Sequence, residues 1–578
     1  MAPRRLLLFG LLSGVLLCLP TPSSATESRA TAVSGVADTG VLEDRSPDPP
    51  GQDLPPTGQD KDPQDSPQSA TAKDDSAPHH SDHDPAAEHG GLPAAHSGEA
   101  HASHDQGDAG HGEDESHGAG HGKHGGHSSR LTEERIPLLV ENVPQRPKPI
   151  LELGEPFLGS GTLKPGFHLP TGAVWQPSLL VFGTLRTAVQ SFENEVGRVS
   201  ELTTRLDLFA NLQLSGTERL VVGFRPFDRN GRFTNYTFES TVPGVDDGEF
   251  TDELNGEITS LFFEGDFGEI FPNLSRNDFS PTDVGFSVGR QPMLFQEGLL
   301  INDAIDGLGI TRNTLQPKKS SNFRATFFWG WNEVGRPGPA GNREDDQAHL
   351  LALLTSADLR RSTIDADLVW VLSDERQTNL GGSPLRTGGD LLAGGLSFVQ
   401  RIGELNTSFR VLGSLANDET ASSSDGFLLF SEISRTPHRT HDLLYVNGFV
   451  ALDRYTSAAR GPAAGGPLGR AGINFAAVGL GRYGAALSSQ AEDVVGGAVG
   501  YQRFFDHTRK QLIVELGARL GTSSDIADAV AATARYQAAL MRRFVLRTEV
   551  FAGLRRDPGP AGDDEELFGG RFEVILKF

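Results

Sequence analysis

Between residues 203 and 214 the side chains alternate between apolar and polar. Leu206, Leu208, Ala210, Leu212 and Leu214 share one parity, while Arg205, Asp207, Asn211 and Gln213 share the other. Successive side chains of an extended strand point to opposite faces, so this spacing predicts a strand with one greasy and one charged face. Ser215–Glu218 reads as a tight turn, and beyond it Arg219, Gly223 and Arg225 oppose Leu220, Val222 and Phe224. A hairpin results. The arithmetic recurs downstream, with Asp365 and Asp367 against Ile364, Ala366, Leu368 and Trp370, and Asn406, Ser408 and Arg410 against Leu405, Phe409 and Val411. Near the end, Gln511, Glu515 and Arg519 oppose Leu512, Val514, Leu516 and Leu520, and Arg547 and Glu549 oppose Leu546, Thr548 and Val550.

The final strand repeats the pattern and ends on an aromatic residue. Phe572, Val574, Leu576 and Phe578 lie on one face, with Arg571, Glu573, Ile575 and Lys577 on the other. Short connections (215–218, 401–404, 435–440, 506–510) exchange places with long polar ones (228–256, 333–346, 374–389, 454–470, 556–566). Long loops at one end and tight turns at the other are the habit of membrane barrels. The predicted fold is therefore all-β: a transmembrane antiparallel up-and-down β-barrel over 176–578. It has about 18 strands, with 16 or 20 also compatible given Gly-rich pieces around 469–505. A soluble sandwich or propeller would not regularly set Arg and Asp against an all-apolar face, and no propeller-length repeat is visible.

The rest of the chain divides by composition. Residues 1–25 read as a secretory signal peptide, with Arg4 and Arg5 before an apolar run and Ser23-Ser24-Ala25 at the cleavage point. No later stretch approaches the apolar length of a spanning helix. The single cysteine, Cys18, falls inside the leader. The mature chain then has no thiol, and Leu17 stands where lipid attachment normally needs a small residue. Residues 26–130 form a disordered, acidic arm with no aromatic residue, too polar to offset the entropy of ordering. Residues 131–175 are a Pro- and Gly-punctuated connector. The net charge of −25 argues against nucleic acid as a partner.

Candidate chemistry lies in two places. The arm carries 12 of the 17 histidines: His79, His80, His83, His89, His96, His101, His104, His111, His117, His121, His124 and His127. Imidazoles at these spacings on a flexible chain can wrap Zn, Ni or Cu, with Asp and Glu between them adding oxygen ligands; no cofactor is otherwise required. A solvated low-complexity linker is the competing reading. The barrel is expected to line its pore with Arg186, Arg205, Asp207, Arg219, Arg225, Arg290, Asp306, Arg324, Asp365, Asp367, Arg410, Glu515, Arg519, Arg547 and Glu549, unless these charges merely brace the wall. Phe, at 34 residues against 6 Tyr, is expected to supply the aromatic girdle. Neither a zinc-protease helix nor a phosphate loop is present, so an enzyme is not expected.

One stretch carries a family resemblance. Val288-Gly-Arg-Gln-Pro-Met-Leu-Phe-Gln-Glu-Gly-Leu-Leu-Ile-Asn-Asp-Ala-Ile-Asp-Gly307 resembles the central motif of alginate-export and related porin-type outer-membrane barrels, and the terminal Phe resembles their C-terminal assembly signal. The resemblance implies an 18-stranded outer-membrane channel. Gly289, Arg290, Gln291, Glu297, Gly298, Asn302, Asp306 and Gly307 would then share one strand–turn–strand element. It also implies the barrel-assembly machinery as a partner, reading Phe572, Val574, Leu576 and Phe578. The expected function is a channel for small polar or charged solutes or an exported polymer, embedded in the lipid bilayer of the bacterial outer membrane, with the arm in the periplasm. The alternative is a metal-handling protein whose arm captures cations and whose barrel is their route or anchor. Calorimetry of the 71–130 peptide with Zn²⁺ or Ni²⁺ near neutral pH is expected to show binding that fades as the imidazoles protonate below about pH 6.5. A flat titration removes the metal reading.

Overall fold

Alternation along each strand places charge on one side and hydrocarbon on the other, and eighteen such strands pair antiparallel in chain order. The computed structural model describes residues 147–578 apart from 155–164, 195–196, 243, 275–282, 339–341, 381–382 and 557–563. The leader, the arm with its twelve histidines and the first part of the connector lie outside the described residues. β1 (Ser178–Asn194) and β2 (Gly197–Gln213) are the longest strands. Next come β3 (Arg219–Phe224), β4 (Ile258–Asp266), β5 (Gly285–Phe295), β6 (Ile301–Leu315), β7 (Ser320–Trp331), β8 (His349–Leu359) and β9 (Ser362–Leu372). β10 (Leu391–Ile402), β11 (Leu405–Ala416), β12 (Gly426–Arg435) and β13 (Leu443–Arg454) continue the wall. It is completed by β14 (Glu492–Phe505), β15 (Lys510–Gly521), β16 (Asp528–Ala539), β17 (Phe544–Arg556) and β18 (Asp564–Lys577).

The last strand returns to the first. Phe568 pairs with Glu193 and Lys577 with Thr184, so the ladder closes and leaves no free edge between first and last strand. Phe578 extends the seam: its N–H donates to the Gly183 carbonyl (3.1 Å) and its own carbonyl accepts from the Gly183 N–H (2.8 Å). Closure is what allows a sheet to sit in lipid, where an unpaired backbone group costs several kcal/mol. The outer face carries the greasy parity. Val189, Leu202, Phe327, Trp329, Leu368, Trp370, Phe409, Val514, Val550 and Phe572 are all exposed there. This is a porin-like transmembrane barrel.

Both chain ends of the wall lie at the end of short turns. There the described part of the connector runs along the rim: Leu151–Leu153 pairs with Leu179–Val181, and the Gln176 N–H donates to Leu214 O at 2.7 Å. One connection at this end, 267–284, is long and begins with a one-turn helix, Phe267–Ile270. At the opposite end the connection after β13 runs to residue 491 rather than 470. Its Gly- and Ala-rich sequence imitates strand spacing, but it lacks a continuous apolar face for lipid and forms no barrel strand.

Removing Phe578 takes away two seam hydrogen bonds and a ring from the closing strand. A deletion variant is expected to leave export across the inner membrane unchanged while the folded, heat-modifiable band in the outer-membrane fraction falls several-fold; a full-strength band would refute the role of the terminal residue.

Candidate functional site

Among the described residues, two chain segments turn inward and fill much of the lumen. The first is the end of the β5–β6 hairpin. β5 pairs with β4 only through Arg290, and β6 pairs with β7 only from Asp306 onward. Residues 291–305 therefore leave the wall while still pairing with each other. Gly289 (φ 117°) marks the departure, and Gln296, Glu297 and Gly298 all take positive φ at the tip. The tip crosses the interior. Gln296 Nε2 donates to Asp367 on β9 at 2.8 Å, and Leu299, Leu300 and Ile301 are fully buried. Most of the motif stretch that resembles the porin-type barrels is this infolded element.

The second inward segment is the 455–491 connection. Tyr455 Oη and Ser457 Oγ donate to the Leu299 carbonyl (3.0 and 2.8 Å), and Ala459–Arg460 pairs in parallel with Ile301–Asn302. Residues 471–482 are then gripped largely through their backbone. Arg186 donates to Val478 O (3.3 Å), Arg205 to Gly479 O (2.9 Å), Gln190 to Leu480 O (2.9 Å) and Asn447 to Ala471 O (3.0 Å). Glu515 accepts from the N–H groups of Ile473 (2.9 Å) and Asn474 (2.7 Å), and Glu201 accepts from that of Arg482. Tyr483 packs between Phe192 and Phe551, and Phe475 against Phe449. Gly481 is required here: at φ +67° a Cβ would lie 2.2 Å from Glu201 Oε1.

The charges behind this grip are themselves paired. Glu573 receives Arg186 at 2.6 Å, Arg547 at 3.5 Å and a close Arg571; Asp207 receives Arg205 at 3.0 Å and Arg225 at 2.6 Å; Arg535 pairs with Glu549. Taking an ion out of water costs several kcal/mol, and only such multiple pairing offsets it. Arg519 is also buried, and Arg219 pairs with Glu264 nearer the turn end.

Across the lumen the filling is incomplete. A cavity of about 240 Å³ remains between the hairpin tip and the walls of β7–β11, lined by Gln296, Glu297, Arg324, Asp365, Asp367, Ser397 and Arg410 among others. Arg410 pairs with Glu432, and Arg470 of the inserted segment bridges Glu432 (3.0 Å) and Glu297 (3.4 Å). Charges of both signs thus face one wet space, where they create a transverse field that orients polar solutes.

Two residues predicted for the lumen stand elsewhere. Arg290 and Asp306 are cross-strand partners at the register of exposed Leu261, on the outward parity, where the hairpin departs. Arg290 pairs with Glu333, Asp306 (3.6 Å) and Glu344 (3.7 Å). Burial raises the Glu344 carboxyl above its ordinary range, and neighbouring Glu333 adds to this. Parity alone groups Arg290 with Val288 and Asp306 with Leu308 and Ile310, and the lumen assignment overlooked this. It also missed Gln190, Glu201 and Tyr483, whose roles depend on a loop that carries no strand signal. In the loops, Arg336 donates to Gly389 O (3.1 Å), Ser422 O (3.2 Å) and Ser423 Oγ (2.6 Å), and burial pushes its guanidinium down to about 10.

No protein-family model matches the chain, and no curated protein does. Solved structures with a similar outline include a BenF-like porin from Pseudomonas fluorescens Pf-5, at 10% identity and TM-score 0.46, covering 69% of this chain and 98% of that one. Pseudomonas aeruginosa OccK9 (OpdG) gives 12% and 0.45 over 69% and 98%. Wzi, an outer membrane protein involved in group 1 capsule assembly in Escherichia coli, gives 10% and 0.40 over 68% and 84%. Likeness this distant carries no functional argument, and the barrel stands on its own strand pairings.

Replacing Gly481 with Ala forces the inserted segment off Glu201. Amides of 472–482 are then expected to exchange with deuterium about tenfold faster or more, as the loss of one buried hydrogen bond implies, while the wall strands remain protected. Unchanged exchange in 472–482 would show that the segment is not held as described.

Proposed function

We propose that the protein is an outer-membrane channel for the passive passage of small polar or charged solutes. The observation that carries this reading is the cavity left open beside the infolded hairpin, lined by Arg324, Arg410, Asp365, Asp367 and Glu297 within a closed wall. A greasy barrel serving only as an anchor has no need of unfilled space among charges. A solute entering the lumen exchanges its water shell for guanidinium, carboxylate and hydroxyl groups, and the oppositely signed walls align its dipole. No covalent step is involved. Two inserted segments restrict the bore, which favours small solutes over the exported polymer implied by the alginate-export resemblance.

The asymmetry of the connections orients the barrel. Short turns face the periplasm and long loops the exterior, so the arm, which precedes β1, hangs in the periplasm. The barrel-assembly machinery reads the terminal strand, including Phe572, Val574, Leu576 and Phe578. Twelve histidines on that arm favour a second reading, in which it concentrates Zn, Ni or Cu at the inner mouth and the barrel is their route or anchor.

Planar-bilayer recording of the purified full chain tests the channel. The expected result is small, stable, ohmic conductance that rises several-fold when residues 461–490 are replaced by a short Gly-Ser linker. An intact, folded barrel that conducts in neither form would overturn the proposal.

A further inference from the structure

The cavity between the hairpin tip and β7–β11 has polar atoms with nothing to bond to. Arg410 is 4% exposed; one of its terminal nitrogens serves Glu432, but its Nε–H has no acceptor. Gln296 is 6% exposed; its Nε2 serves Asp367, but its Oε1 has no donor. Arg324 opens into the same space and has no ion pair or hydrogen bond among the described residues. Asp365 has one oxygen engaged, Oδ2, by Ser397 Oγ at 2.8 Å. Donors and acceptors are thus both left unfilled around a single cavity.

From this arrangement we propose that the cavity binds a small zwitterionic solute, one bearing a carboxylate and an ammonium on the same short skeleton. The carboxylate takes donors from Arg324 and the Arg410 Nε–H, as charge-assisted pairing favours. The ammonium donates to Asp365 and Gln296 Oε1. The ring of charge excludes the simpler ions. A plain anion placed at the guanidinium groups lies beside Asp365 and Asp367, which have no ion pair among the described residues, and a plain cation at the carboxylates lies beside Arg324, which has none either. Like-charge contact in a space of restricted water is costly, so neither half-ligand satisfies the site. Size narrows the class further. At about 240 Å³ the cavity is smaller than the ~300–1,000 Å³ of sites for drug-sized ligands, which selects solutes on the scale of a free amino acid.

The inference builds on the reading of the lumen as a solute route, but its test does not depend on conduction. The full chain in detergent micelles is titrated calorimetrically with L-alanine, sodium acetate and methylammonium chloride. Saturable alanine binding at least about tenfold tighter than either half-ligand is expected, from the loss of one charge-assisted contact set. Arg324→Gln should weaken alanine by a similar factor. Its heat-modifiable mobility should stay normal, because Arg324 holds no structural partner among the described residues. Acetate or methylammonium binding as tightly as alanine, no saturable alanine heat, or an Arg324→Gln variant that binds normally would each overturn the site. Conductance without alanine binding sinks the site and leaves the channel; alanine binding without conductance does the reverse.

Discussion

Closure of the backbone ladder is the constraint from which the rest follows. A sheet in hydrocarbon has no water to satisfy an edge, so the first and last strands must find each other. Here they do so from Phe568 opposite Glu193 down to the reciprocal bonds between Phe578 and Gly183. Once the wall is closed, side-chain parity has only two destinations. Hydrocarbon goes to lipid, and every other residue is committed to a shared interior.

That interior is too wide for the wall side chains alone to fill, and the chain fills it with backbone. The β5–β6 hairpin tip and the 455–491 connection enter from the loop end and meet each other at Leu299, Tyr455 and Ser457. Inserted backbone brings N–H and C=O groups that need partners. Polar side chains of the strands supply them: Arg186, Arg205 and Gln190 donate to carbonyls, while Glu201 and Glu515 accept from amides. On one side of the lumen, then, ionic residues are structural. On the other side, around Arg324 and Asp365, they face open space. The same residue types serve opposite ends because the inserted segments cover only one of the two regions.

Legibility in the sequence followed the physics of each signal. The period of two is imposed on every strand by lipid on one side and polar groups on the other, so pairs such as Glu515 against Val514 and Arg410 against Phe409 announced the fold and the strand number. Nothing comparable marks an inward loop. Residues 461–491 are rich in Gly and Ala because they must pass close to other backbone, and that composition imitates a weak strand. Arg290 and Asp306 were misleading for a related reason. They share the parity of lipid-facing Val288 and Ile310 but stand where the hairpin quits the wall, so the partners of Arg290, Glu333 and Glu344, come from a loop. The division of interior charges into gripping and open sets depends on tertiary placement alone.

The grip on residues 471–482 acts mainly on main-chain atoms, which every amino acid carries. Side chains at the half-buried positions Ile473 and Ala476 can therefore be exchanged with little effect on where the segment sits, whereas Asn474, Phe475, Val478 and Leu480 are buried and glycine is needed at the tight approaches to Glu515 and Glu201. The wall fixes the position of the insert, while its chemistry stays adjustable. A barrel built this way can retune what it admits by drift at the half-buried positions of the insert, without reworking any of its eighteen strands.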